Sequence, residues 1–126
     1  MKTKRLLILA FLLPALFLSG CGSALRATRI IEDSAVFSRG EIVSAMRAVT
    51  RFFSLNFSGC TLLTISYEED ADNPPENDRT IRITTSFETG PHMTGSLSPN
   101  EVYTRYSWEL ERGLLGGWKL VNWGYG

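Results

Sequence analysis

Few residues of this 126-residue chain have the type and spacing for chemistry. Cys60 is a thiol in mid-chain, and a cysteine nucleophile needs a base beside it. The chain has one histidine, His92, within Gly90-Pro91-His92-Met93-Thr94-Gly95, a segment of loop composition. A partly buried structural thiol at a strand start is the plainer reading of Cys60, and a single His excludes a multi-histidine zinc site. Residues 68–78 hold six acidic groups and no basic one. Clustered oxygens attract hard cations such as calcium. The ligand ladder, central Gly and closing Glu of an EF-hand loop are absent, however, and Pro74-Pro75 interrupts the register, so the run reads as a solvated loop. No P-loop, dinucleotide Gly motif, Gly-x-Ser-x-Gly elbow or His-Glu-x-x-His is present. No cofactor or metal is expected.

Aromatic residues are the other candidates. Trp108, Trp118 and Trp123 all fall in the last fifth of the chain, with Tyr103, Tyr106 and Tyr125 beside them. Rigid aromatics serve as anchors for sugars, peptides or partner surfaces, and they also fill small cores. Trp123 and Tyr125 have the opposite strand parity from Trp118 and Leu120, so either a bulge intervenes or one set is exposed. Trp123, Tyr125 and Tyr103 form the candidate binding surface. A competing reading is a small pocket enzyme with Tyr67, Glu109 or His92 as acid-base groups in a cavity between sheet and helix.

The second cysteine, Cys21, follows a different kind of segment. Residues 6–18 are an uncharged apolar run of 13 residues, preceded by Lys2, Lys4 and Arg5. That is too short for the roughly 20 residues a membrane-spanning helix needs, and Pro14 lies inside it. Leu18-Ser19-Gly20-Cys21 then resembles the lipobox of bacterial lipoprotein signal peptides, a likeness that covers residues 1–21. The resemblance implies cleavage between Gly20 and Cys21 and a diacylglyceryl group on the Cys21 sulfur. Two acyl chains hold a protein stably where one is marginal. Gly22 and Ser23 lack an acidic retention signal, so the anchored protein is expected to face outward from the cell membrane. An ordinary cleaved signal or an uncleaved anchor is the alternative. Without residues 1–20, 10 basic face 13 acidic residues, a net of −3, which argues against nucleic acid or an anionic surface as partner.

The elements that must position these groups are legible in the periodicity. Ser38-Arg39-Gly40-Glu41 has the form of a capping box, with Phe37 and Ile42 placed as a hydrophobic staple. Ile42, Ala45, Met46, Val49, Phe52 and Phe53 recur at three- and four-residue steps, and Arg39, Arg47 and Arg51 lie on the other side. This is an amphipathic helix that Asn56 and Gly59 end near residue 55. A membrane-surface helix would share the pattern; the staple and the aromatic pair favour a core-facing one. Beyond Gly59 the period becomes two. Residues 61–67 put Leu63, Ile65 and Tyr67 on one face. Residues 79–88 do the same with Ile81, Ile83 and Phe87. Residues 102–111 place Val102, Tyr106, Trp108 and Leu110 opposite Tyr103, Arg105, Ser107, Glu109 and Glu111. Gly113 to Gly117 turns the chain into a last strand, 118–125.

Three segments carry a further resemblance: Gly59-Cys60-Thr61-Leu62-Leu63 leading to Tyr67; Ser96 to Asn100 with Tyr103-Thr104 and Trp108; and Gly117 to Tyr125. They look like small lipoproteins of Gram-positive gut bacteria, a family that brings no catalytic residues to carry over. The helix, the meander and the terminal Trp-x-Leu-Val are more loosely similar to the cystatin-like, nuclear-transport-factor-like fold, which implies no activity. The expectation is therefore a signal peptide over 1–20, a lipidated tether over 21–37 and an α+β domain over 38–126. In that domain one helix packs on a four-stranded antiparallel meander. Its expected role is non-catalytic, binding or scaffolding an envelope protein or small ligand.

Overall fold

The computed structural model describes residues 27–93 and 95–125. Cys21 and Gly20, and with them the lipidation and cleavage expectations, lie outside the described residues. The chain folds as α+β, with one helix on a five-stranded sheet in the order β1-β2-β3-β4-β5. The strands are β1 (Thr28–Ile31), β2 (Thr61–Tyr67), β3 (Thr80–Glu88), β4 (Val102–Arg112) and β5 (Trp118–Tyr125); the helix is α1 (Arg39–Asn56).

The expected antiparallel meander is present as β2 to β5, but the sheet has a fifth strand and is mixed. β1 pairs parallel to β2, Thr28 opposite Thr64 and Ile31 opposite Tyr67. Residues assigned by composition to a tether thus belong to the sheet, and Phe37 is buried in the core.

α1 starts as its residues require. The Ser38 hydroxyl accepts from the Glu41 N–H at 3.2 Å, and the Glu41 carboxylate accepts from the Ser38 N–H at 3.0 Å. Two of the orphan donors of the first turn are satisfied in this way. The stripe Ile42, Ala45, Met46, Val49 and Phe53 is buried against the sheet. At the other end the Phe57 N–H closes onto the Phe53 carbonyl. Gly59, at φ +80°, then turns the chain into β2 in a conformation that favours glycine.

Three bulges set which side chains reach the core. Between β2 and β3 the register slips at Leu62/Thr64, adding a residue to β2. Leu62, rather than the expected Leu63, is therefore buried with Ile65 and Tyr67. Between β3 and β4 the extra residue is on β4, where Arg105 takes φ +57°. Tyr103 is thereby turned to the helix side, stacked on Phe87 at 5.4 Å, while Val102 is 54% exposed. The expected faces of these two residues are exchanged, because an inserted residue shifts a period of two by one step. The centre of the core is Trp108, fully buried, whose indole N–H donates to Thr85 Oγ1 at 2.8 Å. An inward threonine in a strand of isoleucines follows from that need, since a buried indole requires an acceptor. Among the described residues no buried side-chain N or O lacks a partner.

Candidate binding surface

The third bulge resolves the parity conflict in β5. Glu109 pairs with Asn122 but Leu110 pairs with Leu120, leaving Val121 as the extra residue. Both aromatic sets therefore face the helix side: Trp118 opposite Arg112, Leu120 opposite Leu110, Trp123 opposite Trp108 and Tyr125 opposite Tyr106. The end of α1 packs over Phe87, Tyr106 and Trp108 of the inner strands and does not cover both sets, because β5 is the sheet edge. Trp123 is 44% exposed and Tyr125 63%.

The three residues singled out from sequence are brought together. Trp123 lies 4.6 Å from the Phe52 ring and stacks on Trp108 at 6.4 Å and 21°. Tyr125 meets Tyr106 at 5.8 Å and Tyr103 at 5.6 Å. The Tyr103 phenol oxygen accepts from the Ser98 N–H at 2.7 Å, which ties the β3–β4 connection to the surface. Burial, with Tyr125 beside it, pushes the Tyr106 phenol upward, so its hydroxyl stays neutral beneath the exposed rings. The result is an aromatic ridge with inner edges locked by stacking and outer edges open. Its contribution from Phe52 and the neighbouring exposed Leu55 is not evident from sequence. Helical spacing sends Phe52 toward the core, and only the end of the helix shows that it is half covered.

The residues proposed for acid-base chemistry are dispersed. Tyr67 is on β2, three strands across the sheet from β5, where its hydroxyl donates to Glu69 Oε1 at 2.6 Å. Burial and that carboxylate push its pKa up to about 12, so it holds its proton through the neutral range. Glu109 faces away from the helix, in a shallow cleft of about 200 Å³ with Arg82, Ser107 and Asn122. His92 is in the exposed connection between β3 and β4. Cys60 meets not a base but the Met93 thioether, at 3.7 Å, and burial raises the thiol's pKa. The space between sheet and helix, where the competing enzyme reading places a cavity, is occupied at its centre by Trp108, Phe53 and Phe87.

The acidic run also has structural work. Glu69 accepts from the Ser34 hydroxyl at 2.5 Å and the Ala35 N–H at 2.8 Å. The Ala35 N–H first, then Ser34 and Tyr67, hold its carboxyl below the usual range. Ser34 in turn accepts from the N–H groups of Val36 and Phe37, so this carboxylate fixes the approach to the helix. Among the described residues no three His, Cys, Asp or Glu side chains converge as a metal site. No helix among them is long and apolar enough to cross a membrane. Comparison with protein-family profiles, with curated sequences and with solved structures finds no match for this chain.

Proposed function

We propose that this chain is a membrane-anchored surface lipoprotein whose folded part is a non-catalytic binding or scaffolding module of the bacterial envelope. The diacylglyceryl group on Cys21 holds it outward-facing on the cell membrane, and the aromatic ridge of Trp123, Tyr125 and Tyr103 is its binding face. The ridge carries the reading of the folded part: large rigid rings left partly open beside a filled core are suited to recognition. The curved sheet around a single long helix is taken as a cystatin-like arrangement. Anchoring is tested by growing cells with labelled palmitate. The wild-type chain should carry label and the Cys21→Ala chain should not; equal labelling of both would reject the anchor.

A further inference from the structure

The face of the sheet turned away from α1 carries a second group of side chains that the core does not use. By strand register Arg82, Glu109 and Asn122 stand side by side across β3, β4 and β5. The next outward row is Thr84, Ser107 and Gly124. Long side chains fill one row and short ones the other, with neighbouring strands about 4.8 Å apart. The result is the shallow cleft of about 200 Å³, bordered at the sheet edge by Trp123 and Tyr125. Gly124 has φ +148°, a conformation that favours glycine, and a Cβ there would meet nothing within 4 Å. The backbone, not crowding, requires this glycine, and it leaves the floor bare beside Ser107.

The polar groups of the cleft are not spent on one another. Among the described residues every ion pair within 4.0 Å is made by Arg112, so Arg82 and Glu109 face each other across the strands without closing. Asn122 Oδ1 accepts from the Trp123 N–H at 3.0 Å, which holds the side chain and leaves its amide donors for a ligand. One row thus offers a guanidinium that only donates, a carboxylate that only accepts and an amide that donates, beside a hydroxyl that does both.

That inventory selects a ligand class. The charges of Arg82 and Glu109 compensate, so an anion in the cleft would face Glu109 and a cation would face Arg82. A neutral molecule meets neither repulsion. To engage the whole row it must present donors and acceptors together at close spacing, as the adjacent hydroxyls of a sugar ring do. Hydrogen bonds from such hydroxyls to charged groups are the stronger kind.

Building on the binding-module reading, and independently of the anchor, we propose that this outer cleft is a subsite for a neutral saccharide. Arg82 donates to one hydroxyl and Glu109 accepts from its neighbour, with Asn122 and Ser107 completing the contact.

The test applies the full-length protein, solubilised in a detergent without a sugar headgroup, to an array of neutral, sialylated and sulfated oligosaccharides. The wild type should bind neutral glycans. Arg82→Gln and Glu109→Gln should each weaken that binding about tenfold or more. Lys119→Gln, on the same face one row away, should bind as the wild type does. Circular dichroism of each variant confirms the fold. Binding to no neutral glycan, or to charged glycans alone, overturns the proposal. So does binding that is lost in Trp123→Ser yet survives both cleft substitutions, a result that keeps the aromatic ridge as the binding face and removes the subsite.

Discussion

Two tryptophans in one strand have opposite circumstances. Trp118, at the start of β5, donates its indole N–H to the Glu41 carbonyl at 3.0 Å, sits edge-on to Phe37 at 5.8 Å and lies under the Arg112 guanidinium at 4.4 Å. Arg112 pairs in turn with the Glu41 carboxylate, which the Ser38 N–H and that guanidinium hold below its usual pKa. Trp123, five residues on, has apolar partners on its inner face and nothing comparable on its outer one. Both side chains project to the same side of the sheet, so alternation alone does not separate a structural tryptophan from one left open. The course of the helix above them does: its first turn closes over Trp118, while its last turn packs on Phe87 and Trp108 of the inner strands and leaves Trp123 half covered on the edge strand.

The comparison can be broken or sharpened by substitution. The largest effect is expected at Trp108, against which the helix and the last strand both pack: Trp108→Ala should destabilise by about 3–5 kcal/mol, through lost contacts, a cavity and the lost hydrogen bond to Thr85. Urea unfolding followed by fluorescence should remain a single transition. Separate transitions for the two ends would show that they are independent units. Trp118→Ala should cost about 2–3 kcal/mol, the sum of a partly buried ring and one hydrogen bond.

Glu69→Gln should cost about 1–2 kcal/mol by weakening charge-assisted bonds to Ser34, Ala35 and Tyr67. The sign with pH follows from the direction of its shift. A carboxyl held low in the fold stabilises above its unfolded pKa and loses that contribution as pH falls through the folded value. Acid unfolding of the wild type should therefore be steeper than that of Glu69→Gln. Tyr67 is the reverse case. Its pKa is raised to about 12, so its contribution is present below the unfolded value of about 10 and is lost as pH rises from there through about 12. Tyr67→Phe should flatten that alkaline limb, as read by circular dichroism.

The smallest effect on stability is expected at the open end. Trp123→Ser should cost about 1 kcal/mol or less, because much of the ring is already in water. A loss as large as that of Trp118→Ala would make Trp123 a core residue and remove the basis for a binding face.

Much of this arrangement is legible in the order of the amino acids. The capping box at Ser38 and Glu41 locates the helix start. Alternation locates β2 to β5 to within a residue, because each strand has one dry face. The bulges and β1 are not legible. An inserted residue such as Leu63 or Val121 looks like any other strand residue, yet it reverses every side chain beyond it. Arg105 takes a left-handed conformation although it is not glycine, so composition gives no warning. β1 is four residues long, too short to display a period, and its parallel pairing depends on a partner more than 30 residues away. The aromatic cluster is visible in composition alone. Its arrangement as one open ridge depends on the bulges, so alternation leaves exposure and burial both open for Trp123.

The openness of Trp123 tests the account most directly. In a Trp118→Phe variant whose fold is checked by circular dichroism, Trp108 and Trp123 are the two remaining indoles, one fully buried and one 44% exposed. The account predicts that acrylamide readily quenches one part of the emission and that adding Trp123→Phe removes that part. Emission protected throughout, with or without Trp123, would contradict it.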